Sequence, residues 1–244
     1  MCNFFSLTSD GLGNIKYFNW EQRKKILNKE DGYKGYDPDS HTSINDFYGY
    51  KEADEDIRNK YEYNPLTKVF TVDKINGIND SEIVEEKVKA LDFKEIVEPL
   101  IIKPIIHPFK DIPKVEKVEE KHLELVRKWV SVRSSVVDFD WNSVRNSVWV
   151  YVGASVWNST LNSILDSVRD YVWNSVRDSV YAYISSFFTI EKWKYIDHEP
   201  FINPFQPAID LWNMGIVPSF DGNVWRLHSG ENADVIWEGK VQRI

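Results

Sequence analysis

A chain with one cysteine has no internal disulfide framework and no multi-cysteine zinc site. It also lacks a basic field. Its 30 Lys and Arg stand against 38 Asp and Glu, a formal net charge of -8, and no cationic cluster is denser than Arg23-Lys24-Lys25. This balance argues against nucleic acid as a partner. Apolar runs are broken by Lys, Pro, Ser or Asp well short of the ~20 residues that a bilayer span needs. The chain does not begin with a basic leader and an apolar stretch. The expectation is a protein that neither crosses a membrane nor is exported, working in the cytoplasm of a bacterial or phage-infected cell. No phosphate loop, dinucleotide fingerprint or serine nucleophile elbow is found, so no cofactor is expected, and a small-molecule ligand has no motif in its support.

What the chain has is enough apolar mass to fold: 244 residues, 42% hydrophobic and 14% aromatic, room for one large domain or two small ones. Asn3 to Thr8 and Ile15 to Phe18 are β-favouring runs around the turn-rich stretch Ser9 to Asn14, which predicts a hairpin. Trp20 to Lys29 favours helix and Glu30 to Ser43 reads as an exposed loop. Short helices are expected at Ile44 to Tyr48, capped by Thr42 or Ser43, and at Lys51 to Tyr61. A strand follows at Val69 to Asp73, then a helix from Asp80 or Ser81 to Leu91 with Ile83, Val84, Val88 and Leu91 on one face.

Pro99, Pro104, Pro108 and Pro113 exclude a regular helix, and the Ile, Leu and Phe between them favour an extended, covered crossing. Val115 to Trp129 is amphipathic, with Val115, Val118, Leu123, Val126 and Val130 near one face. After a second proline cluster (Pro200, Pro204, Pro207), Ala208 to Met214 reads as a helix ended by Gly215. Strands are expected at Val217 to Phe220, Val224 to His228 and Asp234 to Trp237. The fold class expected is α+β: an α+β region (1–98), a Pro-rich connector (99–114), an amphipathic helix with a repeat array (115–190), and a C-terminal helix with a β-meander (191–244).

The array is the most regular feature. From Val132 to Phe188 every fourth residue is Val, Ile or Thr, apart from Asp140 and Phe188. Ser usually precedes it, a large or charged residue follows, and Asn or Asp usually fills the fourth place. In a flat strand Val would share a face with Asn or Asp, and neither face would be apolar. In a helix Val neighbours the following large residue while Ser and Asn or Asp lie opposite, so a helix fits better. Four residues turn through ~400°, so the stripe drifts ~40° per repeat, and the array is expected to break into several packed helices or to be wrapped by partners rather than to face one partner as a straight helix. A β-solenoid is the alternative, since the residue classes resemble those of pentapeptide-repeat proteins, although this repeat is one residue shorter. The Trp and Arg at the variable position (Trp141, Arg145, Trp149, Trp157, Arg169, Trp173, Arg177) suggest a surface that stacks or pairs.

Met1-Cys2-Asn3-Phe4-Phe5-Ser6, Tyr61 to Thr67, Leu91-Asp92-Phe93, Glu98 to Ile101, the repeats, Tyr181 to Phe188, Val217 to Gly222 and Trp225-Arg226-Leu227-His228 together resemble a family of bacteriophage and gut-metagenome proteins with Trp/Arg-Asp/Asn-Ser-Val tetrapeptide repeats. The resemblance spans nearly the whole chain. It implies a phage-related origin and transfers no activity, ligand or catalytic residue.

Two places invite chemistry. Loss of Met1 would set an amine beside the Cys2 thiol, as in N-terminal nucleophile hydrolases; the plainer reading is a small residue that packs. Asp37, Asp39 and His41 share a loop, where turn and cap duties compete with metal ligation, and no metal site is expected. Trp225 and Trp237 suit a core or a groove. The leading expectation is a noncatalytic structural or interaction protein that uses its array to bind itself or a host or phage protein. A Cys2 hydrolase and a counter-defence protein that sequesters a small signalling molecule or blocks a host enzyme are the alternatives.

Overall fold

A computed structural model describes residues 5–50, 58–97, 100–135, 147–148, 158, 160–162, 164, 173–193 and 196–242. The fold is α+β, with helices and two antiparallel sheets in two compact units. The first unit takes the described residues through Lys103 with Asn158 and Thr160, and the second takes those of 104–148 and from Leu161 onward.

In the first unit, strands β1 (Phe5–Ser9), β2 (Ile15–Lys16), β3 (Asn59–Asn64) and β4 (Val69–Lys74) form a sheet in the order β2-β1-β3-β4. The predicted hairpin pairs Thr8 with Lys16 and Ser9 with Ile15. Its turn needs glycine: Gly13 has φ +80, and a Cβ there would stand 2.6 Å from Ile83 Cγ2. Every residue of β1 is buried, which a strand covered on both faces requires.

Lys51 to Tyr61 had read as a helix; residues 51–57 lie outside the described set, but Asn59 to Tyr61 belong to β3. The alternation of Tyr61 and Tyr63 sets both rings on one face, opposite Leu7 and Phe5, and Phe93 closes over Phe5 and Tyr63 at 5.0 and 5.4 Å between ring centroids. Burial of that aromatic face outweighs the helix propensity of the charged residues around it.

Helix α1 (Trp20–Leu27) starts with a capping box between Asn19 and Gln22. Helix α2 (His41–Phe47) begins before the expected point: Ser40, not Thr42 or Ser43, is its cap, accepting from Ser43 N. These helices and the intervening loop enclose Phe18, Ile26 and Ile44, with Tyr33, Tyr36, Phe47 and Tyr48 around them. Helix α3 (Ser81–Lys89) buries Val84 and Val88, and a short α4 (Phe93–Ile96) follows.

In the second unit, α5 (Glu120–Ser135), α6 (Trp173–Ser185) and α7 (Gln206–Asn213) accompany a sheet of β5 (Val217–Phe220), β6 (Trp225–Ser229) and β7 (Asp234–Gly239). α6 packs on α7 and β5, and α5 packs on α7. The expected meander is thus present, and Pro207 sits in the first turn of α7, where its missing N–H costs nothing. Trp129, Trp193 and Phe205 form one aromatic cluster, and Tyr183 stacks on Trp212 at 4.7 Å. Residues 101–107 are neither helix nor strand; Ile106 N donates to Tyr183 Oη, and its carbonyl accepts from Trp212 Nε1, both at 2.9 Å. These bonds fasten the Pro-rich segment to α6 and α7 where proline cannot supply donors.

Candidate functional site

The repeat residues from Val132 to Ser185 that the structure describes are all helical, including Ser147-Val148, Asn158, Thr160 to Asn162 and Ile164. Helix, not a solenoid strand, is their backbone. The fourth-position side chains face inward: Val148, Thr160, Ile164, Val180 and Ile184 are fully buried and Val176 nearly so, while Val132 is half-buried. On α6 the Ser that precedes Val180 also points in, its hydroxyl donating to the Pro218 carbonyl at 2.7 Å. The residue after the stripe points outward: Arg177 is exposed and Tyr181 half-buried.

Arg133 occupies the same place after Val132 that Arg145 occupies after Val144. Its Nε donates to Asp178 Oδ2 at 2.6 Å, and its guanidinium lies over the rings of Phe220 and Trp225 at 5.1 and 5.6 Å. Asp178 stands in the fourth place of its own repeat. One repeat helix therefore joins another by a variable-position Arg on a fourth-place Asp, with an aromatic platform beneath the cation. Both side chains are partly shielded, at 31% and 23% exposed, which keeps the pair above the weakest class of surface bridge.

No family model, curated protein or solved structure matches the chain.

Of the residues expected to form the interaction surface, Trp173 opens α6 and Arg177 lies on its exposed side. Trp141, Arg145, Trp149, Trp157 and Arg169, and the candidate nucleophile Cys2, lie outside the described residues. Trp225 belongs to the core, 5% exposed and stacked on Phe220 at 4.9 Å, while Trp237 is half-buried.

The loop acids have other duties. Asp39 receives both bonds of Arg23 Nη2, at 2.8 and 2.9 Å, in an ion pair sealed from solvent. Asp37 Oδ1 accepts from Asp39 N, and His41 Nε2 lies 2.9 Å from the Tyr61 carbonyl. These are turn and tie roles. Among the described residues no group of His, Cys, Asp and Glu is arranged to hold a metal.

Two constellations were not anticipated. Asp80 stands at the start of α3 without capping it, because Ser9, Asn59, Tyr61 and Gly13 N all donate to its carboxylate. Burial opposes ionisation there, but those donors hold Asp80 below the usual carboxylate value, and burial with the neighbouring charge pushes the Tyr61 phenol up. In the second unit, Ser219 Oγ lies 2.8 Å from His228 Nε2, and His228 Nδ1 lies 3.0 Å from the Ala233 carbonyl. A carbonyl only accepts, so Nδ1 carries the proton. Burial holds His228 below its ordinary pKa, so the ring is neutral and Nε2 accepts from Ser219. Nucleophile, base and orienting group are thus in order. With Ser219 and His228 only 4% and 5% exposed, the pair acts in this structure as a buried tie between β5 and β6.

Proposed function

We propose that this chain is a noncatalytic protein of phage-related origin, working in the cytoplasm, that assembles with further copies of itself through the outward face of its repeat array. The observation that carries this reading is the Arg133–Asp178 contact. It joins two helical stretches of one repeat by the residue types that the array presents again and again: Arg or Trp after the stripe, Asp or Asn two places after it. A second copy offers the same complementary groups, so one surface serves as both halves of an isologous contact. The apolar stripe is occupied within the chain at its described positions. Arg177, at the variable position after Val176, is exposed and on the outward side.

Light scattering after size exclusion, over a hundredfold range of concentration, tests this with the full chain and with the triple variant Arg145→Asp, Arg169→Asp, Arg177→Asp. The expected result is an oligomer for the parent and a monomer for the variant, with the same far-UV circular dichroism. A parent that stays monomeric throughout, or a variant that assembles equally well, refutes the reading.

A further inference from the structure

In the first unit, three segments bring a cation and an amide together, with no anion paired to the cation among the described residues. Arg58, only 5% exposed, donates from Nε to Thr8 Oγ1 at 3.2 Å, and Thr8 Oγ1 donates to Asn45 Oδ1 at 3.1 Å. Thr8 and Asn45 are 0% and 1% exposed. One hydroxyl on β1 thus fixes both the guanidinium and the amide. Arg58 Nη2 and Asn45 Nδ2 are both buried with no hydrogen-bond partner among the described residues.

The guanidinium has no ion pair with any described residue. Asp10 feels its charge, but that carboxylate is exposed and already accepts from Leu12 N, Asn14 N and Asn14 Nδ2. The contrast with Arg23 in the same unit is direct: that buried guanidinium is matched by Asp39. A buried cation without a counter-charge is costly, and a water molecule would satisfy its donors without neutralising it. What the two free donors and the charge fit together is an oxyanion, which accepts from both and supplies the missing charge.

Tyr50 covers this place. Its half-buried ring lies 4.1 Å from the Arg58 guanidinium carbon. It follows Gly49, whose φ of +77 closes the end of α2, and Tyr50 N donates to the Asn45 carbonyl at 2.9 Å, so the ring is displaced by turning about its own side-chain bonds. A stacked ring partly compensates a cation, and it can move aside for a better partner.

We infer that Arg58 and Asn45 form the donor half of a binding site for a small oxyanion, a carboxylate or a phosphate, held closed by Tyr50 until the ligand displaces its ring. This inference is independent of self-assembly.

Calorimetric titration of the full chain with inorganic phosphate and, separately, with acetate, at ionic strength matched by chloride, tests it. Saturable binding of either ion to the parent is expected, and which ion binds distinguishes a phosphate from a carboxylate ligand. Arg58→Gln should weaken that binding at least tenfold, and Tyr50→Ala, which removes the cover and keeps both donors, should tighten it. Absence of saturable binding of both ions to both the parent and Tyr50→Ala overturns the inference. So does equal binding by a folded Arg58→Gln.

Discussion

If the fourth-position side chains of the array are core and the residues after them are surface, two substitutions three residues apart on α6 must differ sharply. Val180 is fully buried and Arg177 is exposed. Val180→Ala removes two methyl carbons from a packed site. At about 0.8 kcal/mol per buried carbon, the transfer part is about 1.6 kcal/mol. The cavity left against β5 and α7 raises the total to about 2–3 kcal/mol. That corresponds to a fall in Tm of roughly 8–12 °C at about 4 °C per kcal/mol for a unit of this size. Arg177→Ala truncates an exposed side chain, whose surface contacts are worth at most about 1 kcal/mol. Urea and thermal unfolding followed by circular dichroism read both values. A Val180→Ala cost below about 0.5 kcal/mol, or equal costs at the two positions, refutes the inward stripe and with it the outward surface.

Asp39→Ala should destabilise the first unit by about 3–5 kcal/mol, because it strands Arg23 without a counter-charge. A double change to Arg23→Met with Asp39→Leu should recover most of that loss in the same unfolding assay. His107, His122 and His228 all lie in the second unit with pKa values held down chiefly by burial. The unfolded chain takes up these protons near pH 6.5, before the folded one does, so stability is full above that pH and is lost as pH falls through the lower folded values. Urea midpoints at pH 7.5 and 5.5 should therefore fall on acidification. His228→Gln should flatten the slope, and a midpoint that rises or stays level in the parent contradicts the assignment.

The elements legible in the sequence are those whose signals are local. Ser9 to Asn14 is a run of turn formers between β-favouring segments, Val84 and Val88 repeat at helical spacing, and Pro207 and Gly215 bracket α7. Strand β3 was hidden because Arg58, Asn59, Lys60 and Glu62 surround Tyr61, and only pairing with β1 reveals which face the rings take. The functional features were hidden for a related reason. Arg133 and Asp178 stand 45 residues apart, and Arg58 stands 50 from Thr8. Periodicity shows that Arg recurs; which Arg finds an acid, a ring or nothing depends on contacts between distant segments. A buried cation such as Arg58, with no ion pair among the described residues, leaves no mark on composition at all.

The period of four also limits how the array is used. Val176, Val180 and Ile184 span two repeats, over which the stripe turns by ~80°, still inside the ≳100° face that one packing surface covers. α6 can therefore bury all three against α7 and β5. A straight helix two repeats longer would carry its stripe through ~160° and send the end valines to the opposite side. There they would need a second surface. Array length thus sets how many packing partners the valines require, and the variable Trp and Arg rotate with them. Rotation spreads the outward groups around the helix, so one isologous contact engages only those on one side of it.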